Sequence, residues 1–208
     1  MLVRELRQDK FTTLANAMNY QAAKDFILKK LESELSDELT YHGIHHTLDV
    51  LNIAENLCKS LNVGDYETIL VKTAALYHDS GFTNTRVEHE QAGCQIAKNA
   101  LPGFGYAKAE IDLICGMIMA TKIPQSPQNF LEEIICDADL DYLGRDDFYS
   151  IGASLFQELQ NYKILDSQEE WDRIQVSFIG KHSYFTSVCR DRRAAQKQAY
   201  LDELKAIV

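Results

Sequence analysis

Proline and glycine are scarce in this chain of 208 residues, at 3 and 10. No Ser, Gly or Gln tract occurs and no segment repeats at a fixed period, which excludes long linkers, disordered stretches and solenoids. No apolar run approaches the roughly 18 residues of a membrane span. The opening MLVRELRQDK carries Arg4, Glu5, Arg7, Asp9 and Lys10 where a signal peptide needs an apolar region. The expectation is a protein that engages no membrane and stays in the cytoplasm. Cysteines number five (Cys58, Cys94, Cys115, Cys136, Cys189), with no CxxC pair, so buried reduced thiols are expected rather than a disulfide frame or a structural zinc. Basic residues are also short, 21 Lys plus Arg against 31 Asp plus Glu, for a formal charge of −10. That balance argues against a broad surface tracking nucleic-acid phosphates, so an anionic partner must be small and attracted locally. GxSxG and P-loop patterns are absent as well.

What the sequence has is apolar periodicity. Hydrophobic residues make up 46% of it, and they recur at steps of three and four almost everywhere, with no strictly alternating stretch. This predicts an all-α protein, a single compact bundle of about eight to ten helices over 1–208. Its motif-bearing core spans about 40–145, with N-terminal helices (1–36) and C-terminal helices (146–208) packed on it. Ala23, Ile27, Leu31 and Leu35 form one stripe, and Val50, Ala54, Leu57 and Leu61 another. Asp65 is read as the cap of a helix reaching His78, and further helices are expected over about 87–100, 106–120 and 130–143. Asp146 and Asp147 open another with Phe148, Ile151, Leu155 and Leu159 as its core face. Ser167 and Glu170 fit a capping box leading into one long stripe of Trp171, Ile174, Phe178, His182, Phe185 and Cys189. His182, between two phenylalanines, reads as a core histidine or one supporting the site.

Against that background, three clusters carry chemistry. His78-Asp79 sets two metal-binding side chains side by side. Adjacent helical residues point about 100° apart, so both reach one ion only near a helix end, and Gly81 supplies that end. An imidazole with a carboxylate suits a divalent transition metal better than a closed structural zinc site. Upstream, Tyr41-His42-Gly43-Ile44-His45-His46 places His42 and His46 four apart, on one face if the segment is helical. Downstream, Asp137-Ala138-Asp139-Leu140-Asp141 puts three carboxylates in an apolar helix, where each is costly unless a cation pairs with it. Asp139 and Asp141 flank the stripe at similar angles, and periodicity does not choose between them.

In order, His46, His78-Asp79 and Asp139 resemble the H…HD…D pattern of the HD-domain metal-dependent phosphohydrolases. YHGIHHTLDV is similar to the YHxxxHxxxV element of that superfamily and its cyclic nucleotide phosphodiesterase relatives, AALYHDSGF to the HD helix end, and CDADLDYLG to the closing DAD element. The resemblance implies an HD-like helical fold in which His46, His78, Asp79 and Asp139 hold a divalent ion (Mn, Fe, Ni, Co, Zn or Mg), which selects Asp139 over Asp141. It places His42 where the phosphodiesterase relatives hold a general acid, with a supporting or phosphate-binding role as the alternative. His89-Glu90 with Gly93 is similar to the HxxxG element that brings a second metal in some subfamilies. The helix ending Met117-Ile118-Met119-Ala120-Thr121 lacks the histidine that binuclear members often carry, so one ion is expected rather than two. His89 is then a substrate contact or a satisfied helix residue.

The expected activity is metal-dependent hydrolysis of a phosphate ester or phosphoanhydride in a small molecule, with a nucleotide the leading class. The metal activates water, and Asp79 doubles as a proton acceptor. Lys122 and Arg145 are the candidate phosphate-binding cations, with His89 and Glu90 as further substrate contacts. Lys181, Arg190, Arg192 and Arg193 read as ordinary solvated residues. Two alternatives are an HD-type di-iron oxygenase and a metal- and nucleotide-binding module without turnover.

Overall fold

The computed structural model describes residues 18–208. The charged opening stretch and the first part of the expected N-terminal helices lie outside the described residues. Among those described, nine α-helices and no strand occur: α1 (Tyr20–Glu34), α2 (Ile44–Ser60), α3 (Asp65–Tyr77), α4 (His89–Ala100), α5 (Lys108–Ala120), α6 (Phe130–Asp139), α7 (Phe148–Asn161), α8 (Gln168–Lys181) and α9 (Ser187–Lys205), with short 3-10 turns at Ser80–Thr83, Leu101–Phe104 and Asp141–Gly144.

The central element is α3. Leu70, Val71 and every residue from Thr73 to Tyr77 are buried, as expected of a segment apolar on all faces. It packs against α1, α2, α5 and α6. Ile27, Leu31, Ala54, Ile114, Ile118 and Ile134 close the main core around it, each large aliphatic contributing about 1.5–3 kcal/mol by leaving water. A second cluster, holding Tyr41, Leu140, Leu143, Phe148, Ile179 and Leu201, joins α7, α8 and α9 to the end of α6. All five cysteines are free and buried. Among the described residues no helix is long and apolar enough to cross a membrane.

Several local expectations are corrected. α3 is capped by Gly64, so Asp65 sits in its first turn, where the positive helix end favours a carboxylate. α2 begins only at Ile44, because Gly43 is an extended N-cap (φ −90°, ψ 179°); His42 therefore precedes the helix carrying His46. α6 ends at Asp139 rather than near 143, and Asp141 stands in the 3-10 turn that follows. The long terminal stripe is two helices, broken at 182–186. Asp137 causes the break: its fully buried carboxylate accepts hydrogen bonds from Phe185 N (2.8 Å) and from Thr186 N and Oγ1 (both 2.7 Å). Thr186 then caps α9 by accepting from Cys189 N.

His182 lies at this corner between Phe178 and Tyr184, with neither ring nitrogen hydrogen-bonded. Burial, helped by the Lys197 ammonium, lowers its pKa to about 4. The folded state thus excludes a proton that the unfolded chain binds below about pH 6.5. The stabilisation is full above that pH and is lost as pH falls towards 4, on the order of 3 kcal/mol at most. We expect His182→Leu to flatten the loss of stability between pH 6.5 and 4 in urea titrations. Wild-type and variant curves running parallel over that range would contradict the assignment.

Candidate metal centre

Two helix C-termini and the first turn of a third helix converge to build the site. α3 stops at Tyr77, and the 3-10 turn from Ser80 swings His78 and Asp79 inward together. His46 faces them from the first turn of α2, and Asp139 arrives as the last residue of α6. His46, His78 and Asp139 bring ligand atoms within 4.8 Å of one another. The two Nε2 atoms of His46 and His78 are 3.3 Å apart. Asp139 Oδ1 lies 3.2 Å from His46 Nε2 and 3.6 Å from His78 Nε2. Asp79 is outside that mutual set, yet its Oδ2 approaches the same two nitrogens at 3.1 and 3.4 Å.

The chemistry of this donor set calls for a cation. His78 donates Nδ1–H to the Ala75 carbonyl at 2.8 Å, which turns the Nε2 lone pair into the site. A second imidazole nitrogen 3.3 Å away and two carboxylates then face it. Asp79 Oδ2 is buried and has no hydrogen-bond partner, a costly state for a carboxylate oxygen unless an ion completes it. Without metal, a proton takes that place. Burial lowers the His78 pKa, but the Asp79 and Asp139 carboxylates outweigh it and raise it well above the usual histidine range. Burial likewise pushes Asp139 up, and the His46 and His78 imidazoles reverse this and hold it at about 2. All four residues fit a divalent ion with mixed nitrogen and oxygen ligation.

Two close approaches set this geometry. A Cβ on Gly81 would fall 1.8 Å from the His89 carbonyl oxygen, and one on Gly93 would fall 2.9 Å from the Tyr77 carbonyl oxygen. Only glycine at both lets α4 lie against the turn carrying His78-Asp79. His89 consequently reaches the site, with Nε2 3.5 Å from Asp79 Oδ1 and 3.4 Å from Glu90 Oε1. Its Nδ1–H donates to the Arg86 carbonyl. Phe82 stacks on His89 (centroids 4.0 Å) and on His42 (4.3 Å), and the two histidines are 6.1 Å apart.

His42 is held from a distant part of the chain. Glu158 on α7, itself buried, accepts from the backbone N–H groups of Tyr41 and His42 at 2.9 Å. Its other oxygen lies 2.5 Å from His42 Nδ1. With Nδ1 engaged, Nε2 is the ring nitrogen left for the adjoining cavity, which His42 lines with Asp79, His89, Glu90 and Asp139.

The cations expected to bind phosphate are engaged elsewhere. Lys122 is exposed and donates to Glu88 at 2.7 Å. Arg145 bonds Asp49 and Asp147 and lies 3.8 Å from Asp141; it faces a separate hollow with His45 and Asp49. Asp141 is buried on Arg193 at 2.8 Å. The three acids of the DADLD segment thus divide between a backbone clamp, the cluster with His46 and His78, and an ion pair, and none is a solvated surface residue. Two residues of the site are not among the sequence candidates, Glu158 and Gln125; the Gln125 amide donates to the Cys136 carbonyl and faces Asp139 Oδ2 at 3.5 Å. For Glu158 a signal existed, an acid three residues past Leu155 on the apolar face of α7. Gln125 offered none.

Two histidines and two aspartates thus converge in an all-α fold, a donor set suited to a metal ion. The family model described as HD domain matches residues 43–141, α2 through the start of the turn after α6, and the likeness is confined to that stretch. Neither a curated protein nor a solved structure matches the chain.

Proposed function

We propose that this protein is a metal-dependent phosphohydrolase acting on a phosphate ester or phosphoanhydride of a small molecule. The observation that carries the reading is the paired Nε2 atoms of His46 and His78 with the orphaned Asp79 Oδ2 between Asp139 and a cavity that His42 also enters. His46, His78, Asp79 and Asp139 would hold the ion. When bound, the ion lowers the pKa of water and polarises a phosphoryl oxygen. Asp79 accepts the proton that the attacking water loses. His42, its Nδ1 fixed by Glu158, donates a proton from Nε2 to the leaving oxygen as the P–O bond breaks. His89 orients Asp79 through the carboxylate oxygen facing away from the ligand pair. Nucleotides are the substrate class that the resemblance suggests.

One observation favours the oxygenase alternative: His89 and Glu90 stand beside Asp79 Oδ1, where a second ion would sit. The helix α5 adds no histidine there, and we expect one divalent ion per chain. Elemental analysis of the purified protein, followed by phosphate-release assays with added metals, tests both points. Two irons per chain with oxygen consumption would favour the oxygenase, and metal-replete protein that releases no phosphate from any ester or anhydride would overturn the hydrolase.

A further inference from the structure

The cavity beside the metal centre has two unlike ends. At one end stand His42, Asp79, His89, Glu90 and Asp139. At the other, Leu155, Leu159, Trp171, Ile174 and Phe178 from α7 and α8 form the wall, with aromatic rings of Tyr142 and Phe148 beside them. Gln175 is the one amide on that wall. Among the described residues lining the cavity there is no lysine or arginine, while three carboxylates face it. One divalent ion offsets Asp79 and Asp139 and leaves Glu90. Beyond what His42 and His89 can offset, a string of phosphates would therefore be buried without counter-charge, which is costly. The mouth is apolar too: Ile123 (51% exposed) and Ile174 (43% exposed) line the cavity and face water. Its volume, about 290 Å³, is at the small end for ligand sites.

We propose that the substrate bears a single phosphoryl group on an uncharged aryl body of about one or two rings, seated against Leu155, Trp171, Ile174 and Phe178, and that polyphosphates are excluded. This rests on the phosphohydrolase reading and narrows it away from nucleoside di- and triphosphates. The phosphoryl group meets the metal end, and the ring fills the wall supplied by α7 and α8. That wall lies wholly outside 43–141, so the segment shared with the family holds the reacting group and the C-terminal helices choose its substituent. Aromatic side chains suit a flat guest because edge and face contacts add to the burial of its surface.

Trp171 is the only tryptophan in the chain, so its emission, excited at the red edge of the indole band, reports on the wall directly. The experiment titrates metal-loaded, full-length protein with benzylphosphonate, methylphosphonate, inorganic phosphate and a methylene-bridged nucleoside triphosphate, with calorimetry in parallel. Benzylphosphonate is expected to shift Trp171 emission and to bind at least about tenfold more tightly than methylphosphonate. The triphosphate analogue is expected to bind no better than inorganic phosphate. In Ile174→Asp, a change at the exposed mouth, the preference for benzylphosphonate over inorganic phosphate should fall to about twofold or less. Equal binding of the benzyl and methyl compounds, tighter binding of the triphosphate, or no benzylphosphonate binding by either method overturns the proposal. Release of phosphate from a small ester alongside any of those results would leave the hydrolase reading standing while this one falls.

Discussion

Replacing His78 by alanine is expected to leave a folded protein that no longer retains its divalent ion and whose phosphate release falls by about 10³-fold or more, roughly 4 kcal/mol of transition-state stabilisation. The size follows from the position of the ring. His78 is 1% exposed, its Nδ1 is fixed by the Ala75 carbonyl, and its Nε2 lies within 3.1–3.6 Å of His46, Asp79 and Asp139. Removing it leaves Asp79 and Asp139 facing each other with one imidazole between them, too few neutral donors for tight ligation. Folding should survive, because an alanine there removes a proton-binding group from an electrostatic cluster rather than a piece of the aliphatic core. The checks are metal content by elemental analysis, far-ultraviolet circular dichroism and turnover with saturating added metal. Metal retained at the wild-type level, or activity within a factor of ten, would contradict the ligand assignment. The same logic fixes the pH behaviour of loading: protons compete for His78, so retention should weaken as the solution is acidified.

The second large effect is expected at Asp137, which touches neither metal nor cavity. Asp137→Ala should lower stability by about 3–5 kcal/mol, read as a fall in the urea midpoint with an unchanged slope. Burial pushes this carboxyl above its usual range, and bonds from Phe185 and Thr186 only partly offset that. The loss therefore comes mainly from stranding the buried N–H and hydroxyl of Thr186 and the partly buried N–H of Phe185 at the turn between α8 and α9. Asp137→Asn keeps two acceptor contacts and should cost less. A midpoint within about 1 kcal/mol of wild type for the alanine variant would show that water satisfies the turn instead.

What periodicity revealed and missed has a common cause. α2 to α6 are amphipathic or wholly apolar over local windows, so their existence was legible within a few residues of their ends. The ends depended on single non-local bonds. Gly43 excludes His42 from α2, yet the carboxylate that then holds His42 comes from α7, and spacing within one helix carries no trace of it. The run from Trp171 to Cys189 looked continuous because both α8 and α9 present apolar residues at the same period, and the interruption is imposed by Asp137. Of the acids at 137, 139 and 141, only the fold distinguishes roles. The alternation puts them on three different sides of a helix end, and what each side meets is decided by distant residues. Lys122 and Arg145 were legible as cations, but not their engagement by Glu88, Asp49 and Asp147.

Phe82 packs its ring against both His42 and His89, and it cannot ionise. The two imidazole centroids are only 6.1 Å apart, so the histidines meet around this shared aromatic neighbour and not across it. A contact made by a hydrocarbon persists whatever the acidity of the solution. The seating of the two imidazoles on this side of the cavity is thus shared through one side chain, and a change of shape at residue 82 would reach both at once.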